Sequence, residues 1–340
     1  METILSLEKS ERAAYFEKAA EIQSLSPQII EKDFWVCWTL RELFTLPDIK
    51  DHLTFKGGTS LSKVFKVIER FSEDIDISIE KSYLGFVGER DPETVGAKKR
   101  NALLGELSDA CRKFVGDSLI ESLRKEIASK IPSGEPWSLE IDPDDPDAQT
   151  ILFTYPRSLS SASGYVRPIV KIEVGARSEH WPVSSRSVSS YLKEALPDLV
   201  QEEPVQLKVL DVERTFWEKA TILHMYAHYP NEKHPPARQS RHYYDFVCLL
   251  RSAYKSKAAQ DVDLLVRVAD HKSIYFRAAW TSYSTARKGT LKLIPDAKVF
   301  AEMEKDYEQM NEMFFKSPPS WSEIVAEITA FEAEFNNLNK

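Results

Sequence analysis

Apolar and polar positions change period several times along the first quarter of the chain. Between residues 8 and 46 the apolar positions recur at helical spacing. Ser26 and Pro27 read as an N-cap and first-turn pair, and Ile30, Phe34, Cys37, Trp38, Leu40, Leu43 and Phe44 follow as one broad stripe. Leu53 and Phe55 then alternate as in a strand, Gly57-Gly58 permit a tight turn, and Leu61, Val64, Phe65 and Ile68 return to the helical period. After that turn the period is two again. Ser72, Asp74, Asp76 and Ser78 share one face of a predicted strand, and Ile75, Ile77 and Ile79 share the other.

Residues 96 to 131 read as helix, with Leu103, Leu107, Cys111, Phe114 and Val115 on one face. Residues 137–141 and 150–155 read as strands joined by an Asp- and Pro-rich tip at 142–147, whose two prolines suit a turn and whose spacing lacks the glycine of a calcium loop. A further strand at 168–174 puts Val170, Ile172 and Val174 on one side and Lys171 and Glu173 on the other. Glu173 is either a third carboxylate beside the aspartates or the partner of a basic side chain. Residues 182 to 204, rich in Ser and Pro, mark a boundary between units at 1–204 and 205–340. Helices follow at 215–229 and 241–254, around 261–284 and 297–316, and near 321–337. The fold expected is α+β, a short mixed sheet with helices and a mainly helical C-terminal region.

The chain has 340 residues, 42% of them hydrophobic, enough for a substantial core. Its net charge of −8 argues against bulk electrostatic coating of nucleic acid and leaves room for a local basic patch. Cys37, Cys111 and Cys248 are too far apart for a zinc cluster and fit a reducing cytoplasm. The N-terminus lacks a leader pattern and no apolar run reaches the ~18 residues of a membrane span. A cytoplasmic protein away from membranes is therefore expected.

Two stretches carry the chemistry. Carboxylates at Asp74 and Asp76, roughly 6 to 7 Å apart along one strand face, repel unless a cation shares them, and hard oxygen ligands suit Mg2+ held together with substrate phosphates. Gly57, Gly58, Thr59 and Ser60 form a turn into a helix N-terminus, where main-chain N–H groups, the helix dipole and two hydroxyls favour phosphate. The glycine spacing fits neither a P-loop nor a dinucleotide fingerprint. Lys219 on an aromatic-rich helix either reaches a triphosphate or snorkels. His224 and His228, four residues apart, lack a third ligand for zinc. Arg241 and Asp245, also four apart, read as a surface pair or as the basic side of a nucleotide pocket.

Five segments in order, 55–63 (FKGGTSLSK), 70–76 (RFSEDID), 171–173 (KIE), 214–219 (RTFWEK) and 241–245 (RHYYD), resemble the successive motifs of the AbiEii/AbiGii nucleotidyltransferase-like toxins over roughly residues 28 to 255. The resemblance implies a polymerase-β-like nucleotidyltransferase core, the toxin half of a bacterial abortive-infection toxin–antitoxin pair, with relatives among the MenT toxins that add nucleotides to the 3′ end of tRNA. It places Ser72, Asp74 and Asp76 on the core motif, Lys219 on the family lysine and Asp245 on its late aspartate. Tyr244 here stands where many members have Arg directly before that Asp. The expected catalytic set is Asp74, Asp76, Glu173, Lys219 and Asp245, with Mg2+ on Asp74, Asp76 and Glu173. A nucleoside triphosphate would be held by Gly57, Gly58, Thr59, Ser60, Lys63, Ser72, Lys219 and Arg241. The expected acceptor is tRNA, met by a rim of Lys63, Lys66, Arg70, Lys171, Arg214, Lys219, Arg238 and Arg241, and the expected partner is an AbiEi-like antitoxin. Protein nucleotidylation, kinase-like phosphotransfer and a non-catalytic module docking a basic partner are the alternatives.

Overall fold

The computed structural model describes residues 1–159, 167–201, 203–310 and 313–337. The chain forms two compact units, one of Met1–Val64 with Ser72–Val209 and one of Phe65–Phe71 with Leu210–Lys340.

A seven-stranded mixed sheet organises the first unit, with strands β1 (Leu53–Lys56), β2 (Asp74–Ile79), β3 (Ser138–Ile141), β4 (Thr150–Thr154), β5 (Ile169–Gly175), β6 (Val183–Val188) and β7 (Val205–Leu210). Their spatial order is β3-β4-β5-β2-β1-β7-β6. β2 runs antiparallel to β1 and parallel to β5, so the strand with the two aspartates lies inside the sheet. The alternation expected for it holds: Ile75, Ile77 and Ile79 are buried beside Phe55, Val170, Ile172 and Val174. Helix Pro27–Leu43 covers β2 and β5, capped by Ser26, whose hydroxyl accepts the Ile29 N–H. Its Trp35 and Trp38 pack on Phe153, and Trp35 also stacks on Tyr155 at 5.3 Å.

The same helix anchors a buried charge. Asp33 lies 2.6 Å from the Lys63 ammonium and accepts the Tyr191 main-chain N–H, while the Tyr191 ring sits 3.6 Å from that ammonium. Burial alone would favour a neutral lysine. The Asp33 carboxylate outweighs it and holds the amine protonated. Three segments distant in sequence are thus tied at one point.

The structure departs from the sequence expectations at the following places. Helix Gly57–Lys63 stops well before Ile68. Lys66 takes a left-handed φ of +53°, and Phe65 and Ile68 are buried with the second unit, so their spacing served packing and not a longer helix. Second, β6 and β7 lie in stretches read as a boundary and as the start of the helical region. Val205, Leu207 and Val209 are buried in alternation along β7, which pairs parallel to β1 and carries the first unit past residue 204 to Val209. Third, a π-helical turn at Phe114–Leu119 interrupts the long helix expected over 96–131. Fourth, the helix expected over about 261–284 ends at Tyr275. The hairpin tip is as expected, closed by the Asp142 N–H to Thr150 and by Asp145, whose carboxylate accepts the Gln149 N–H and the Thr150 hydroxyl.

In the second unit helices Val212–Tyr226, Arg241–Arg251, Val262–Tyr275, Ala297–Glu308 and Trp321–Asn337 enclose a core that includes Phe216, Trp217, Phe246, Phe331 and Phe335. Among the described residues no helix is long and apolar enough to cross a membrane.

The Lys63–Asp33 pair makes a sharp prediction. Lys63→Ala strands a buried carboxylate and should lower stability by about 3–5 kcal/mol, seen as a large drop in Tm. An unchanged Tm accompanied by a raised KM for nucleotide would instead make Lys63 a phosphate ligand.

Candidate functional site

The sheet's polar face gathers the first unit's chemistry. Residues paired across the strands share a face, and the register places Lys56 opposite Asp76, Asp76 opposite Glu173 and Asp74 opposite Lys171. The turn into helix Gly57–Lys63 lies directly on this face. Gly57 has φ +80°, and a Cβ added to it would fall 1.9 Å from Asp76 Oδ2. Glycine is therefore required twice over, for its backbone conformation and for the approach of main chain to carboxylate.

Electrostatics at Asp74 are unfavourable to its charge. Burial pushes its carboxyl up to about 6, and the nearby charges of Glu173, Glu73 and Asp76 add to the effect against the pull of Lys171. Glu73 pairs with buried Lys32. Glu173, expected as a third metal ligand, lies 3.1 Å from Lys171, whose amine is also 3.7 Å from Asp142. Among the described residues no three His, Cys, Asp or Glu side chains form a group that could hold a metal ion by themselves. Asp74 and Asp76 nonetheless fit Mg2+, which completes its shell with water and phosphate oxygens and would relieve the repulsion that raises the Asp74 pKa.

Three sequence-expected phosphate donors are otherwise engaged. Thr59 is fully buried, with its hydroxyl 2.5 Å from the Asp74 main-chain oxygen and 3.0 Å from Ser72 Oγ. The equally buried Ser60 hydroxyl donates to Gly57 O at 2.8 Å. Lys63 serves Asp33. The Thr59 hydroxyl ties the turn to β2 and the Ser60 hydroxyl closes the turn on itself, so a phosphate there would depend on main-chain N–H groups in the first turn of the helix.

Sequence reasoning missed two residues of this face. Lys56 precedes the glycines with the period of β1, a readable signal. His180 arrives from the loop after β5 and bridges the hydroxyls of Thr54 (2.7 Å) and Ser78 (2.9 Å), the pair adjacent to Lys56 and Asp76. Burial lowers its pKa to about 4, so it is neutral at physiological pH.

The second unit holds a different constellation. Asp245, read from its spacing as a surface partner of Arg241 or as part of a nucleotide pocket, has no exposed surface. Arg70 donates to both of its carboxylate oxygens, Nε to Oδ1 at 2.7 Å and Nη2 to Oδ2 at 2.9 Å, and Lys219 Nζ lies 2.7 Å from Oδ2 and 3.0 Å from His242 Nδ1. Burial would raise the Asp245 pKa, yet Arg70 and then Lys219 hold it well below the usual carboxylate range. Lys219 is lowered by burial and by Arg70, and His242 is driven far down by burial and by Lys219, so the imidazole is neutral. Two cations against one carboxylate leave one buried positive charge in excess, an environment suited to an anion. Arg70 and Arg214, expected on a basic rim, are buried, whereas Lys66 and Arg238 are exposed and Arg241 half-exposed. His224 uses Nδ1 to accept the Lys292 N–H and Nε2 toward Ser282 O and Thr285, which explains its place without zinc.

A mixed sheet bearing paired aspartates, with a glycine turn pressed against one of them, is the framework of a nucleotidyltransferase. The family model "Nucleotidyl transferase AbiEii toxin, Type IV TA system" matches residues 38–332, and the chain belongs to that family, the nucleotidyltransferase toxins of type IV toxin–antitoxin systems. An NTP substrate and an antitoxin partner are implied by that membership. Among solved structures the chain is similar to MenT4, a nucleotidyltransferase toxin from Mycobacterium tuberculosis H37Rv, at 14% identity and a TM-score of 0.50, over 98% of this chain and 91% of that one. At that identity the likeness speaks to the fold. No curated protein matches the chain in sequence.

Two predictions follow from these charges. Asp74 titrates near 6 in the fold against 3.8 in the unfolded chain, so the fold binds the extra proton between those values and stability falls as pH rises through them. Without divalent cation, Asp74→Asn should be more stable than wild type near neutral pH, by about 1–2 kcal/mol, and the gap should close as pH falls toward 4. A variant less stable across that range would sink the electrostatic reading. Asp245→Asn leaves Arg70 and Lys219 buried together and should cost about 3–5 kcal/mol; denaturant melts retaining wild-type stability would refute it.

Proposed function

We propose that the chain transfers a nucleotide from an NTP to the 3′ end of tRNA, with Asp74 and Asp76 holding Mg2+ beside the substrate's phosphates. The observation that carries this reading is the Asp74 carboxyl, pushed up to about 6 on a face shared with Asp76, against which the Gly57 main chain is packed. The bound ion would supply charge neutralisation at the phosphates. The chain's own groups do the rest. Main-chain N–H groups at Gly57 and Gly58 hold phosphate oxygens, and Glu173 or Asp76 takes the proton of the attacking hydroxyl. The hydroxyl oxygen bonds to the α-phosphorus as the bond to the β-phosphate oxygen breaks and pyrophosphate leaves. Lys219, the family-matched lysine of the second unit, sits in a cluster with one positive charge in excess, a setting that favours an anionic group. The chain's charge of −8 limits its grip on RNA to a few cations, for which exposed Arg238 and half-exposed Arg241 are the candidates. An AbiEi-like protein is the antitoxin this reading pairs with it.

Incubation with each α-labelled NTP, Mg2+ and total cell extract tests the proposal. Label is expected at tRNA 3′ ends, in a reaction whose salt dependence reports about two to five ion pairs. Asp74→Asn should lower the rate by about three decades, while Arg238→Glu with Arg241→Glu should weaken tRNA use and spare nucleotide binding. Label on protein in RNase-treated extract would overturn the tRNA acceptor, and release of a nucleoside diphosphate would overturn nucleotidyl transfer.

A further inference from the structure

The second unit contains a cavity of about 480 Å³ that shares no residue with the carboxylate face. One wall is the segment Phe65–Phe71, the piece of chain between the glycine turn and β2, and other walls come from the end of helix Arg241–Arg251 and from residues 316–319. Three cations line it, Lys66, Arg251 and Lys316, against the single carboxylate of Glu69. In a chain of net charge −8 such a lining is a local reversal of sign. The ion pairs at its rim differ in strength. Lys316 meets Glu69 at 2.8 Å with both side chains more than half exposed, a pair that water and salt screen and that an incoming anion can displace at little cost, whereas Arg251 holds both oxygens of half-exposed Glu327 and brings its charge to the rim with that partner in place.

Beside the cations stands a flat apolar surface. The Tyr254 ring is half-buried in the wall, and buried Phe65 meets it edge-on at 5.9 Å with an interplanar angle of 83°. That contact supports the Tyr254 ring from one side, and an aromatic ring next to cations is a combination that receives a base and its phosphate. The volume falls within the roughly 300–1,000 Å³ of small-molecule sites.

We propose that this cavity binds a nucleotide, its base stacked on Tyr254 and its phosphate among Lys66, Arg251 and Lys316, and that the occupant is either a free mononucleotide or one nucleotide of an RNA strand. The site is independent of the transfer chemistry proposed above, because it uses neither aspartate and needs no divalent cation.

Equilibrium dialysis of the full-length Asp74→Asn chain in EDTA, with each labelled nucleoside monophosphate and with a short single-stranded RNA, reads this site apart from the carboxylate face. One ligand per chain is expected. Affinity should fall about tenfold or more in Tyr254→Ala and recover in Tyr254→Phe, and it should fall similarly in Lys66→Glu with Lys316→Glu. Tyr254 and both lysines are at least partly exposed, and a wild-type Tm for each variant shows that binding and not folding was lost. Tight binding of the monophosphates identifies a free nucleotide as occupant, and tight binding of RNA alone identifies a strand. No binding by either ligand, binding indifferent to these variants, or inorganic phosphate competing as well as a nucleotide would overturn the proposal.

Discussion

Asp245 is a carboxylate with no access to water; an arginine 175 residues earlier in the chain holds both of its oxygens, and a lysine on the neighbouring helix shares one of them. Burying a charge is tolerable only with this degree of pairing. The requirement reaches back into the sequence: Arg70 must lie in the second unit, so the chain leaves the first unit after Val64 and re-enters it at Ser72. Helix Gly57–Lys63 is short and β2 starts where it does because the segment between them is committed elsewhere. Phe65 and Ile68 bury their side chains there as well, so the ion pair and apolar packing act in the same direction.

The first unit solves the opposite problem. Its carboxylates on β2 and β5 are crowded and incompletely paired, and the cost is visible in the raised Asp74 pKa. Protein stability alone would favour removing one of them. The Gly57 turn, braced by the hydroxyls of Thr59 and Ser60, keeps main chain in contact with Asp76 and so maintains the crowding. One unit stores negative charge in excess and the other positive, each held by rigid secondary structure.

Period-two alternation in 72–79 was enough to place Asp74 and Asp76 on one face and the isoleucines in a core, because a strand admits only two directions for its side chains. The glycine turn was equally legible, since few residues tolerate its backbone. Hydrogen bonding was less so: Thr59 and Ser60 look like phosphate donors in sequence, and only the fold shows their hydroxyls spent on Asp74 O and Gly57 O. Asp245 was placed by family resemblance. Local spacing suggested Arg241 as its partner, whereas Arg70 is a long-range contact that no periodicity encodes. β7 was readable in the alternation of Val205, Leu207 and Val209, but its short run was masked by the Ser- and Pro-rich stretch before it. His180 comes from a loop, where side-chain direction follows no period.

The double crossing of the chain between units has a consequence for synthesis on the ribosome. Residues 65–71 emerge early, yet the helices that bury Arg70 are made only after residue 210. Until then the nascent chain must carry an exposed loop holding Phe65, Ile68, Arg70 and Phe71, and β1 must wait for β7 before it gains its second neighbour. Neither unit can be completed in the order its residues are polymerised. A chain stopped before residue 210 therefore lacks both the helices that bury Arg70 and Asp245 itself.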